Sequence, residues 1–334
     1  MLGPDDVGYR VVVRRHAGCR DDRALFSDVL GELTAVTAAE MTIRTRRELV
    51  RIPVTEVTHA KRVPGRRRLT ATESLERLAA AGWPAPEREH LGDWLLRAAG
   101  GWTARGNSAL PIGDPGRPLG AAVDAVQQWY RARNLPPKIT VADPVGGRLT
   151  AELRGRGWAP SPPTLVQTAD LTATADLTPT ADLSATAEPA GTSGPDHRVR
   201  LATRPSAGWL AAVAGYRGAL PAAAHAILTD VPVARFASID HDGRSIAVGR
   251  GVIADDARRW LGIALVTVDP AYRRRGLGRA VVAGLARWAV EAGATRAYLQ
   301  VEERNAVAVA MYSGLGFTTH HAYVTWTAPQ PMDR

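Results

Sequence analysis

The chain has 334 residues, 45% of them hydrophobic and 22% charged, a length that suits two or three domains and a balance that suits a globular protein. No apolar run approaches the ~18 residues of a membrane span, the acidic start lacks a signal-peptide pattern, and the single cysteine, Cys19, excludes an intrachain disulfide or a Cys-based zinc cluster; the expected location is cytoplasmic. The net charge of +9 is almost all arginine, with lysine only at positions 61 and 138, which reads as compositional bias; a nucleic-acid partner is the alternative.

Residues 9–15, 26–33, 41–45, 49–53 and 57–63 are rich in β-branched residues and nearly alternate, which predicts short strands. Five such strands are expected to curl into a small β-barrel over residues 1–68 that braces its neighbour. The basic run at residues 61–68 would be its contact with nucleic acid on the alternative reading.

Residues 71–169 form the second unit. Thr72 is the expected cap of a helix over Leu75, Leu78 and Ala79, stopped at Gly82. A helix is predicted over residues 91–99, then a strand-like stretch over 102–111. A helix over 119–133 buries Ala122, Val126, Trp129 and Tyr130; a strand over 139–142, a helix over 147–154 and a strand over 164–168 follow. Residues 170–196 repeat Thr-Ala-Asp-Leu every six residues, a polar period that buries no stripe, and are expected to be a flexible linker.

Residues 197–328 form the third unit, predicted as β-α-α-β-β-β-α-β-α-β. Its informative stretch is an apolar strand over 260–268, then Asp269-Pro270, a basic Gly-rich turn, and a helix over 278–292. A helix N-terminus offers free N–H groups and the positive end of the dipole. Gly276 and Gly278 let phosphate oxygens reach the backbone, and Arg273, Arg274, Arg275 and Arg279 add charge, so the turn specifies a phosphate or pyrophosphate site.

Two motifs carry a resemblance. Arg273-x-x-Gly276-x-Gly278 matches the coenzyme A pyrophosphate motif of the GCN5-related N-acetyltransferase family. Asn305, Ala308, Met311-Tyr312, Leu315 and Gly316-Phe317 match its second signature. The resemblance covers residues 199–328. It implies an α+β fold with a splayed, mixed sheet flanked by helices. Residues 71–169 resemble a degenerate half of the same kind, with Gly157-Trp158 in place of Gly316-Phe317 and no phosphate loop. The whole chain resembles an actinobacterial subgroup in which such a region precedes the active domain. The segment over 102–108 is expected to help line the acceptor cleft.

The implied activity is transfer of an acetyl group from acetyl-CoA to a primary amine, by direct attack in a ternary complex and without a metal. The acceptor is a small molecule or a peptide amine. Val266, Thr267 and Val268 would hold the acyl carbonyl and the pantetheine arm. Residues Arg273, Arg274, Arg275, Gly276, Leu277, Gly278 and Arg279 would wrap the pyrophosphate. Asn305 would bond the cofactor arm, and Tyr312 would be the general acid. The base that frees the amine is left among Glu302, Glu303, Asp240, His241, Asp255 and water. A CoA-binding regulatory module without turnover is the second alternative. Metal chemistry is not expected: His320 and His321, adjacent on a strand, should point to opposite faces.

Overall fold

The computed structural model describes residues 2–20, 23–45, 47–63, 69–143, 147–171, 198–254 and 259–329. It divides into two compact units: residues 1–68 with 113–121, and residues 69–112 with 122–334.

The first unit is one antiparallel sheet of β1 (Arg10–Arg20), β2 (Arg23–Val36), β3 (Glu40–Arg44), β4 (Leu49–Pro53) and β5 (Val57–Arg62). The strand order is β4-β3-β2-β1-β5. This corrects the expected barrel. Closure needs the first and last strands of the order to pair, and among the described residues β4 and β5 do not; the sheet is open. An open antiparallel sheet can bury a single face and leave the other to solvent, so alternation alone does not demand closure. The buried face carries Val11, Val13, Leu33, Met41, Ile43 and Ile52.

The second unit begins with α1 (Ala71–Ala81). Its cap is Thr70, not Thr72. Thr70 Oγ1 accepts from Glu73 N at 3.2 Å, and Glu73 Oε2 accepts from Thr70 N at 2.9 Å, a reciprocal capping box. The predicted helix over 91–99 is instead a hairpin of β6 (Glu87–Leu91) and β7 (Trp94–Ala98). Gly92 and Asp93 make its turn, with Gly92 at φ 58°, and the apolar run of Trp94 to Leu96 mimics a helical stripe because it is short. Residues 102–111 hold a single helical turn, Arg105–Asn107, and two isolated bridges in place of a strand. Then come α2 (Leu119–Arg131), β8 (Lys138–Ala142), α3 (Gly147–Gly155), β9 (Ala159–Pro160) and β10 (Thr164–Asp170). The expected linker lies outside the described residues except for Asp170, which ends β10, and buried Leu171.

The remaining elements are β11 (Arg200–Ala202), α4 (Ala207–Arg217), α5 (Ala222–Thr229), β12 (Val233–His241), β13 (Arg244–Ile253), β14 (Trp260–Val268), α6 (Leu277–Glu291), β15 (Arg296–Glu302), α7 (Ala306–Ser313) and β16 (Thr318–Thr327). A single sheet runs through residues from both sides of the 172–197 segment, in the order β11-β12-β13-β14-β15-β10-β16-β8, with β9 beside β16. Among its described strands only β14 and β15 pair in parallel, with one isolated parallel bridge from Ala109 to Ile139 of β8.

The order β8-α3-β10 repeats as β15-α7-β16, and the closing strands are exchanged. β10 pairs along β15 from Thr164↔Glu302 to Asp170↔Arg296, while β16 pairs along β8 from Tyr323↔Ala142 to Thr327↔Lys138. Val166, at the middle of β10, has no exposed surface. Arg250 on β13 ties the same two parts. Its guanidinium donates to Gly82 O (2.9 Å) after α1 and to Ile227 O (3.1 Å) and Leu228 O (3.0 Å) at the end of α5.

Residues 198–334 expressed alone should therefore give no cooperative thermal transition, because β15 and β16 lose the strand that lies between them. Co-expression with residues 69–171 should restore one. A lone fragment that melts cooperatively would show that β10 is dispensable.

Candidate active site

The site is built where β14 leaves β15. The two strands pair from Trp260↔Arg296 to Ile263↔Leu299 and no further. On the other edge of β14 the register against β13 jumps from Val248↔Thr267 to Arg250↔Ala264, so Leu265 and Val266 together face Gly249. This is a β-bulge, and Leu265 sits at φ 56°, in the left-handed region. The carbonyl of Gly249 opposite the bulge accepts from Trp209 Nε1 at 3.2 Å. Beyond Ile263 the β15 side of β14 has no strand partner, which leaves backbone groups of residues 264–268 facing an opening.

β14 then runs into a tight, basic turn. Asp269 caps the helical turn Pro270–Tyr272 by accepting from Ala271 N at 2.9 Å, and Arg244 pairs with its carboxylate at 3.3 Å. Gly276, at φ 76°, is the N-cap of α6 and has no side chain to occupy the first N–H groups of the helix. The N–H groups of Leu277, Gly278 and Arg279 precede the first in-helix donor, Ala280 N, which donates to Gly276 O at 3.0 Å, so the chain presents an anion cradle there. Arg273 Nε donates to Val268 O at 3.3 Å, and Arg275 lies over the Tyr272 ring at 5.3 Å. Arg279 turns away towards α7: a Cβ built on Gly314 would stand 2.5 Å from its Nη2. Gly278 is buried against α7, where an added Cβ would stand 3.1 Å from Met311 Sδ.

A cavity of 510 Å³ fills the opening. Of the expected site residues, Val266, Thr267, Glu302, Asn305 and Tyr312 line it. Thr267, Val268 and Arg273 line a neighbouring cavity of 410 Å³. Tyr312 is buried, its ring edge-on to Phe317 at 5.9 Å. Burial, with a smaller contribution from Tyr216, pushes its phenol up to about 12. Asn305 caps α7, its Oδ1 accepting from Ala308 N at 3.2 Å, and the cap does not use its amide nitrogen.

The candidate bases separate. Glu302 lines the cavity but is paired with Arg304 at 2.7 Å. Glu303 is exposed and does not line it. Asp240 accepts from Ser245 at 2.7 Å on β12, and His241 packs against the Tyr272 ring; neither lines it. Asp255 lies outside the described residues.

Sequence reasoning missed Gln300 and Lys138 in this wall. Gln300 lines the cavity, and both polar atoms of its amide are buried without a hydrogen-bond partner. A glutamine on a strand that should alternate gives no such signal in the sequence. Thr103, Ala104 and Arg105, from the 102–108 segment, line the same cavity.

His320 and His321 do not point apart. The register of β16 against β10 skips His320, and this bulge brings the two Nδ1 atoms to 2.9 Å; His321 Nε2 lies 2.8 Å from Glu76 Oε1. No group of three or more metal-binding side chains occurs among the described residues.

A family model described as "Probable histone acetyltransferase Rv0428c C-terminal" matches residues 70–325. The chain belongs to this family, within the GCN5-related N-acetyltransferases. It is 29% identical over 333 residues to "Probable histone acetyltransferase Rv0428c" of Mycobacterium tuberculosis, covering 96% of this chain and 95% of that one. It is 27% identical over 254 residues to "Uncharacterized N-acetyltransferase YobR" of Bacillus subtilis, covering 74% and 96%. Among solved structures, a GCN5-related N-acetyltransferase from Kribbella flavida shares the fold with a TM-score of 0.55, at 18% identity over 79% of this chain and 97% of its own. At the level of the family, the activity is acetyl transfer with acetyl-CoA as donor.

The acetyltransferase loop makes a test of its own. Gly276→Ala keeps the fold but asks an L-residue to hold φ 76°, at a cost of roughly 1 kcal/mol. Gly278→Leu must push α7 away from α6 and should lower melting temperature as well as donor affinity. Calorimetric titration with acetyl-CoA should show at least about a tenfold loss for a folded Gly276→Val protein, since a branched Cβ also crowds the cradle. Unchanged affinity would move the phosphate site elsewhere.

Proposed function

We propose that the chain transfers the acetyl group of acetyl-CoA to a primary amine, by direct attack while both substrates are bound. The observation that carries this is a coincidence on one strand. The β14 bulge opens the sheet, and the same strand delivers the chain to the Gly276 cradle. A ligand with phosphates at one end and a reacting carbonyl at the other fits that layout. The names of the two relatives also describe acetyl transfer, and that of the Bacillus subtilis protein describes an N-acetyltransferase.

The residues fit the donor. Gly276 to Arg279 would hold its pyrophosphate through backbone N–H groups, with Arg273, Arg274 and Arg275 adding charge. Backbone groups of Val266, Thr267 and Val268 and the amide nitrogen of Asn305 would hold its arm. Acetyl-CoA supplies the activated thioester. An N–H on the rigid, bulged strand can stabilise charge that develops on a carbonyl oxygen, with little reorganisation.

Glu302 is the only carboxylate in the wall of the cavity, and we assign it, directly or through water, to receiving the amine proton. Its carboxylate also pairs with Arg304 at 2.7 Å. Tyr312, which lines the cavity, would return a proton to the leaving thiolate. Because its pKa is raised rather than lowered, the phenol keeps its proton across the working range and up to about pH 12.

Tyr312→Phe should lower turnover by about 10²-fold or more, the scale of general acid assistance, with acetyl-CoA affinity within about twofold. The raised pKa fixes the pH behaviour: the ratio of wild-type to variant rate should stay flat from pH 7 to 10, because loss of the Tyr312 proton begins only above that range. Single-turnover thiol release with a panel of primary amines measures both. An unchanged rate would leave Tyr312 as packing beside Phe317.

A further inference from the structure

The cavity that holds the opening is lined by the cations Arg105, Lys138, Arg217 and Arg304 and by one anion, Glu302. Glu302 and Arg304 pair with each other at 2.7 Å, which leaves three positive charges uncompensated. Among the described residues no carboxylate pairs with Arg105, Lys138 or Arg217. Aromatic rings hold two of them instead: Arg105 lies over Trp83 at 4.8 Å and Arg217 over Tyr216 at 5.4 Å. Arg105 Nε is also buried with no hydrogen-bond partner. A stacked guanidinium with an unused edge is set up for a planar or tetrahedral anion.

The donor's phosphates do not account for these charges. The cradle of residues 273–279 contributes nothing to the lining of this cavity, and Arg273 faces the neighbouring one. Behind Arg105 stands a further cation, Arg97, which also feels the buried carboxylate of Glu76. Buried Arg97 binds Ser108 through O at 2.9 Å and Oγ at 3.1 Å, and Ser108 Oγ in turn reaches Arg105 O at 3.5 Å. A lysine-rich peptide entering such a wall would meet like charge. An amine with its own negative group would be steered in and anchored.

We propose that the acceptor is a small amine that also carries a carboxylate or phosphate, seated against Arg105 with Lys138 and Arg217. The inference rests on the acetyl-transfer reading. The anion fixes the acceptor at one wall, and its amine reaches the opening of β14 and β15. The same cations disfavour the ammonium form of a nearby amine and so promote the free amine that attacks. This lessens the need for a strong base, in keeping with the tied-up state of Glu302.

The test uses the full chain and matched acceptors: O-phosphoethanolamine against ethanolamine, 4-aminobutyrate against butylamine, and a lysine-rich peptide. Acetyl-CoA binding is measured first by calorimetry; its absence would overturn the acetyl-transfer reading and this inference with it. With the donor bound, at least one anionic amine should exceed its uncharged partner by about tenfold or more in kcat/KM, and the type of pair that responds tells carboxylate from phosphate. Arg105→Gln should abolish that preference by raising KM for the anionic amine, while the uncharged amine and donor affinity are unaffected and Arg105→Lys restores part of it. If Arg105→Gln lowers the melting temperature, Lys138→Gln carries the same expectation from the surface side of the cavity. The proposal is overturned if the uncharged amine or the peptide is preferred, if no anionic amine is bound or acetylated, or if the preference survives in both variants.

Discussion

The site depends on one exchange of strands. β10 lies between β15 and β16, so residues 164–170 separate the last two strands of the chain, and β16 finds its second partner in β8. Each antiparallel ladder satisfies backbone groups that would otherwise be buried unpaired, and Val166 is sealed at the middle. The exchange also makes the cavity. Thr164 from β10 and Tyr323, Thr325 and Thr327 from β16 are part of its wall, facing Val266 and Thr267 of β14. The segment with the basic Gly-rich turn and the segment that resembles a degenerate copy thus share one sheet and one cavity wall. Residues 109–116 carry no basic Gly-rich loop, yet Trp83, Arg105, Lys138 and Thr164 of that half line the cavity.

Buried polar groups reinforce the join. Arg250 is almost wholly buried, yet three backbone carbonyls accept from it, and two of them belong to the last turn of α5. Carbonyls at helix ends carry partial negative charge, so a cation there is partly compensated without a carboxylate. Tyr298 fits where both Gly82 and Gly262 leave it room. A second chain of hydrogen bonds runs from Arg97 to Ser108, from Thr140 to Ser108 at 2.8 Å, and between Thr140 and Thr325 at 3.0 Å. It ends on a residue of the cavity wall. Such satisfied networks are costly to break at any member, because each lost partner leaves a buried polar group alone.

What the sequence disclosed was local. The turn at 269–276 and the start of α6 depend on neighbours in the chain, and several residue types state their geometry: Gly276 at positive φ, arginine around a helix start, a proline just past a strand. α6 was legible because Leu277, Val281, Leu285 and Trp288 recur at helical spacing and are all buried. What stayed hidden was non-local. Nothing in residues 164–168 tells that their partner is β15, and five alternating strands look the same in a closed barrel and an open sheet. The hairpin of β6 and β7 was lost to an apolar run too short to show a period. His320 and His321 escaped because a bulge, not the residue type, decides their direction. The cations of the cavity were dispersed over residues 105 to 304 in a chain already rich in arginine, so only the fold could assemble them.

The bulge at Leu265 joins the two chemistries of the site. A non-glycine residue in the left-handed region costs of order 1–3 kcal/mol, so something must hold it there. Two contacts do. Trp209 of α4 donates to the carbonyl of Gly249 opposite the bulge, and Gly249 itself leaves room for α6, since a Cβ there would stand 2.5 Å from Val281. α6 is the helix whose N-terminus forms the phosphate cradle, and α4 is the helix whose end carries Tyr216 and Arg217 into the cavity. The strained strand is therefore clamped between the element that would bind the donor and the element that faces the acceptor. A shift of either helix would be felt first at residues 264–268, where the backbone groups face the opening. That coupling follows from packing alone, and it bears on the stretch of β14 that opens away from β15.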